Sequence, residues 1–209
     1  SCKLNAAVNG AASGNLGAQT EYLRDMFEHV YFRHASEWKL ATIFVGLADA
    51  VFEPVTAVST YEGHLRQALT EMFSTWHRII VNLVLLPEHA ADISFFEGGF
   101  AACEAVRRTL NASISPLRMS APDTWGTQLR HYNDRIEAIA REFRGVHVQP
   151  FMRSFRPTAS RVEHIDCFHP NRRMSQQMAV SLWNNMLGRK SEHPSDAPLS
   201  CPTPSTVLT

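Results

Sequence analysis

Strands and helices alternate along this chain in the pattern of an α/β protein, a three-layer α/β/α sandwich built around a mostly parallel sheet. Two observations predict it. Leu40-Ala-Thr-Ile-Phe-Val45 and Ile79 to Leu86 are continuous apolar runs, stopped by Gly46 and Pro87, as expected for strands covered on both faces. Around them, apolar residues recur at steps of three and four, the mark of helices with one buried face.

The elements follow in order. Leu4 to Val8 reads as a strand that breaks at Asn9-Gly10 and runs into the turn Ala11-Ala-Ser-Gly14. A helix from about Leu16 places Leu23, Met26, Phe27 and Val30 on one face. After the Leu40 strand and a loop containing Pro54, a second helix carries Leu65, Leu69, Met72, Phe73 and Trp76 ahead of the Ile79 strand. Glu88 to Pro122 is the least regular stretch, with a short helix expected near Ala101 to Leu110. Leu129, Tyr132, Ile136, Ile139 and Phe143 define a third helix, and Val146 to Pro150 a last strand. Asn171 to Leu187 is expected to be a helix whose stripe of Met174, Met178, Leu182 and Met186, with Ala179 and Trp183 beside it, packs on the sheet. One domain over residues 1–187 is therefore expected, followed by a polar, Pro-rich tail over 188–209.

Composition excludes some functions. The 209 residues are 44% hydrophobic and 10% aromatic, ordinary for a globular domain. Lys plus Arg equals Asp plus Glu at 20 each, so no global field recruits nucleic acid or an anionic membrane. The Ile79–Leu86 run, interrupted by Asn82, is too short to cross a bilayer. A chain starting on Ser1 without a charged-then-apolar leader is expected to be a processed product or part of something longer. The cysteines at 2, 103, 167 and 201 lack Cys-x-x-Cys spacing, which argues against zinc and leaves all three disulfide connectivities open. Asn111-Ala-Ser113 is an N-glycosylation sequon that matters in the secretory pathway, and together with the even cysteine count it leans towards a secreted or extracellular-face location.

Chemistry concentrates in His164-Ile-Asp-Cys-Phe-His-Pro170. A carboxylate at Asp166 can fix the tautomer of the His169 imidazole and leave its second nitrogen free to take a proton from a nucleophile. Pro170 biases His169 away from helical backbone, so the ring is expected on an extended corner ahead of the last helix. His164, Asp166 and His169 as metal ligands is the weaker alternative, because the spacing fits no recognised metal motif. Gly10, the Gly46–Asp49 turn and the Asp166–His169 turn each follow an expected strand, and active sites of parallel sheets lie beyond the strands' carboxyl ends.

Several blocks resemble a known family: Leu4-Asn-Ala-Ala-Val-Asn-Gly10, Glu37-Trp-Lys-Leu-Ala-Thr-Ile-Phe-Val-Gly46, Val81-Asn-Leu-Val84, Val148-Gln-Pro-Phe151, and Asp166-Cys-Phe-His169 through Leu182-Trp-Asn-Asn-Met-Leu187. In order and over nearly the whole chain, they are similar to the phospholipase B group of GDSL (SGNH) lipases, and Cys201-Pro202 looks like a family feature too. The resemblance implies a flavodoxin-like SGNH hydrolase sandwich and a carboxylic ester hydrolase acting on phospholipid, lysophospholipid or another acyl ester. It implies Asp166 and His169 as acid and base, Gly10 as an oxyanion-binding backbone N–H, no metal or organic cofactor, and association with a membrane surface.

Two departures qualify that expectation. The family's Gly-Asp-Ser nucleophile block is found nowhere in these residues, and Ser13 has the wrong spacing and reads as a turn residue. The resemblance therefore places the nucleophile and the first strand upstream, and a chain lacking that strand is expected to expose apolar surface and be poorly soluble. Ala48 stands where the family's Gly-x-Asn-Asp block has Asn, whose side chain donates to the oxyanion. Losing one such donor typically costs about 10² to 10³ in turnover. The alternative reading is thus a catalytically inactive relative that keeps the fold and binds lipid.

Overall fold

The computed structural model describes residues 4–52, 54–89, 122–155 and 170–186, the side chains of 122–124 excepted. Its centre is a parallel sheet of three strands in the order β1-β2-β3: β1 (Lys39–Ile43), β2 (Ile79–Val84) and β3 (Val146–Gln149). Leu40 pairs with Ile80 and Ile43 with Leu83, while Val81 pairs with Val146 and Val84 with Gln149.

The two faces of the sheet carry different layers. Ala41, Ile43, Ile79, Val81, Leu83, Val146 and Val148 point to one side, as the two-residue period requires. There they meet α1 (Leu16–Asp25), α3 (Val58–Thr75) and α4 (Pro122–Ala140) in the main core. The helical periodicity is realised closely: Tyr61, Leu65, Ala68, Leu69 and Met72 on α3 face Leu129, Tyr132, Ile136 and Ile139 on α4. The rings of Tyr61 and Tyr132 stack at a centroid distance of 4.2 Å. On the other side, α5 (Arg172–Met186) brings Met174 and Met178 against Val84, Phe151, Met152 and Phe155. The class is α/β, with helices on both faces of a parallel sheet.

Four expectations are corrected. Leu4–Val8 is not a strand, because its backbone finds no ladder partner among the described residues and Ala7 N–H is taken instead by the Asn5 side chain at 3.0 Å. The turn at Asn9-Gly10 stands, with Gly10 at φ 75° and Ala11 N–H bonded to Val8 O. β1 is not covered on both faces: Leu40 is 57% and Phe44 40% exposed on the α5 side. Val30 leaves the buried face of the first helix, because Met26–Val30 is a wider π turn, closed by Tyr31 N–H on Met26 O, and the extra residue breaks the 3.6-residue period.

The fourth concerns α5. The expected stripe holds at Met174, Met178 and Met186, but it is flanked on the sheet side by Ser181 and Asn185, whereas Ala179 is exposed and Trp183 is 58% exposed. The rotation follows a polar attraction. Buried Gln149 donates to Asn82 Oδ1 at 2.7 Å and accepts from Asn185 Nδ2 at 2.5 Å, and Asn82 Nδ2 contacts Met186 Sδ at 3.0 Å. Buried amides left unpaired would each cost about 1–3 kcal/mol, so the helix turns to satisfy them. The short helix expected near Ala101–Leu110 and the 188–209 tail lie outside the described residues.

Candidate functional site

The carboxyl end of β1 supplies the most constrained polar cluster of the described residues. Its turn begins at Gly46, which has φ 131° and caps α2 (Leu47–Val51). A Cβ there would stand 2.6 Å from Leu86 Cδ1 and 3.1 Å from the Tyr61 ring, so only glycine fits. Tyr61 OH donates to Val45 O at 3.0 Å just before the turn, and burial, reinforced by the nearby Asp49 charge, pushes the Tyr61 phenol far up in pKa. It stays a proton donor at any ordinary pH.

Asp49 follows on α2 and is 2% exposed. One carboxylate oxygen accepts Ser13 N–H at 2.7 Å and the other accepts Ser13 Oγ–H at 2.5 Å. Ser13 Oγ also lies 3.0 Å from His64 Nδ1 on α3. A hydroxyl has one hydrogen, and it is committed to Asp49; His64 Nδ1 must then carry the proton and donate to Ser13. The backbone of Asp49 is held as well, its carbonyl accepting Thr56 N–H at 3.0 Å, while Tyr132 OH donates to Thr56 O at 2.5 Å and lies 3.4 Å from Asp49 O.

This arrangement is not a nucleophile with its base. Ser13 is 1% exposed and hydrogen-bonded to both neighbours, so it offers no approach to a substrate carbonyl. Nor is it a plain turn residue, as its sequence setting suggested. It joins the Gly10 turn to the Gly46–Asp49 turn, two stretches that the sequence singled out separately. Ala48, the residue before Asp49, is half-buried within α2 and brings no polar side chain to the rim. Asp166 and His169, together with His164 and Asn111, lie outside the described residues. His64 was missed altogether. Its only sequence signal is a position one residue before buried Leu65 on α3, which any surface histidine could share.

The carboxyl end of β2 is tied down separately. Asn133 on α4 accepts Leu86 N–H at 2.7 Å, donates to Leu86 O at 2.9 Å and reaches Glu88 Oε1 at 3.1 Å. Glu88 also accepts from Arg153 Nε at 2.7 Å. Burial works against the charge of Glu88, but hydrogen bonds from Asn133 and Arg153 outweigh it and hold the carboxyl below its usual range. Among the described residues no group of three or more His, Cys, Asp or Glu could hold a metal ion, and no helix is long and apolar enough to cross a membrane.

Fold and rim define a parallel α/β protein whose polar constraints converge beyond the strands' carboxyl ends. Its relatives give the class a more particular setting. The chain is 29% identical over 97% of its length to human phospholipase B1, membrane-associated, and 28% identical over 88% to the mouse protein of that name. It is 27% identical over 96% to the rat protein. These similarities support a phospholipase B-like family relationship. The chain covers only 14–16% of the length of those relatives. No protein-family model and no solved structure matches it.

Proposed function

We propose that this chain is part of a carboxylic ester hydrolase of the phospholipase B kind. The observation that carries the reading is the similarity to phospholipase B1 along 97% of the chain. In this reading a serine outside these 209 residues attacks an acyl ester of a phospholipid or lysophospholipid. His169 takes its proton and returns it to the leaving alcohol, Asp166 orients the imidazole, and the Gly10 N–H receives the developing oxyanion. The domain covers residues 1–187 and works at the outer face of a membrane or in secretion, with Asn111 available for glycosylation.

A second reading rests on Ala48. Without the amide of an asparagine there, one oxyanion donor is lost, and a catalytically silent, lipid-binding relative follows from the same fold.

Labelling the intact protein with a serine-reactive phosphonate, with and without Ala48→Asn, separates the two. Labelling of the natural sequence supports the hydrolase, labelling only after Ala48→Asn makes Ala48 the lesion, and no labelling of either form refutes the hydrolase. In every case Ser13 should stay unlabelled, because it is buried and committed to Asp49.

A further inference from the structure

Gly10 and Ala48 sit on turns that have very unequal support. The Gly46–Asp49 turn is wedged against Leu86 and Tyr61 and held by Thr56, whose carbonyl in turn accepts Tyr132 OH. The Asn9–Gly10 turn has little packing of its own: Val8 is exposed, and a Cβ on Gly10 would meet nothing within 4 Å. Ala11 and Ala12 bond only within this segment, so where the Gly10 N–H points is set by the next residue tied to another element, and that residue is Ser13.

We propose that Asp49 and Ser13, backed by His64, are positioning residues that clamp the Gly10 turn to the Gly46–Ala48 turn, so that the Gly10 N–H is carried as one body with the turn beside it. The purpose of the clamp rests on the ester-hydrolase reading; its geometry does not. A carboxylate suits the task because both of its oxygens accept, matching the N–H and O–H that Ser13 presents together. His64 Nδ1–H fills the remaining side of the hydroxyl and fixes its direction. Asparagine at 49 would turn an NH₂ towards one of those donors. The hydroxyl would then have to accept from the amide and donate to His64, moving the imidazole proton to Nε2.

Hydrogen exchange followed by mass spectrometry on the intact protein tests the clamp without needing activity. Ser13→Ala should speed exchange about tenfold or more in both 9–14 and 46–51, as expected for losing a charge-assisted hydrogen bond, while 79–84 in β2 is unchanged. Leu69→Ala, compared at equal overall stability, should not single out those two segments. Faster exchange in 9–14 alone, or equal acceleration in both variants, overturns the proposal. Asp49→Asn supplies an independent signature: the ring nitrogens of isotopically labelled His64 should report a switch from Nδ1–H to Nε2–H, and an unchanged tautomer counts against the assigned network. If the protein hydrolyses esters, Ser13→Ala should lower kcat with KM little changed, whereas a change in KM alone would deny the clamp a catalytic purpose. If no hydrolysis is seen even with Ala48→Asn, the hydrolase reading falls and exchange still decides the clamp.

Discussion

Gly10 and Gly46 both hold positive φ, yet they answer to different constraints. Gly46 combines backbone conformation with crowding, since a methyl group would overlap Leu86. Gly10 has the conformation but open space. Gly46→Ala should therefore cost about 2–5 kcal/mol, from strain plus overpacking. Gly10→Ala should cost only about 1–2 kcal/mol, from strain alone. Urea denaturation of the two variants checks the order, and equal losses would contradict it. Tyr61 is a milder case at the same turn: Tyr61→Phe keeps the stack on Tyr132 and loses the bond to Val45 O, a loss of about 0.5–1.5 kcal/mol.

At the scale of elements, the question is what holds strand ends to helices. Asn133 binds both backbone groups of Leu86, and Glu88 links α4 to the loop after β3 through Arg153. Arg153 bonds Glu137 at 2.8 Å as well, so three elements meet at one guanidinium. Because the Glu88 pKa is depressed in the fold, its contribution is fully present above the unfolded carboxylate pKa of about 4.3 and is lost as pH falls through the lower, folded value. Glu88→Gln should remove that share, so the gap in stability between wild type and variant should be constant near neutrality and close below about pH 4. A gap independent of pH down to full acid unfolding would refute it. The second face behaves likewise. Gln149→Leu would strand Asn82 and Asn185 and should loosen α5 by about 1–3 kcal/mol, measurable as faster exchange in that helix.

For the molecule as a whole, the uneven covering of the sheet is the dominant feature. The face towards α1, α3 and α4 is sealed, with Leu65, Leu69, Leu83, Leu129 and Ile139 buried. On the opposite face Leu40, Phe44 and Ile80 stay exposed among the described residues, although parallel sheets are normally covered on both sides. Stability and solubility should consequently separate. Leu69→Ala should cost about 2–5 kcal/mol. Leu40→Thr combined with Phe44→Thr should shift stability by no more than about 1 kcal/mol while reducing aggregation measured by light scattering. A large loss of stability from that pair would show that the outer face contributes to the core.

The sequence by itself determined the class of fold, the three helices of the main core and the strands β1 and β2, because three-four spacing and long apolar runs are local signals of secondary structure. It also marked Gly10 and Gly46 as turn glycines, while Ala48 stood out only against the Gly-x-Asn-Asp block of the family that the chain resembles. Only the tertiary structure decided which faces are covered, which way α5 turns and what Ser13 does. Those outcomes depend on partners far away in the chain. Leu40 and Phe44 look like core until their side of the sheet is seen to be open. Trp183 yields the inner face because Gln149 must be satisfied. Ser13 looks like a turn residue until Asp49, thirty-six positions on, and His64 close around it.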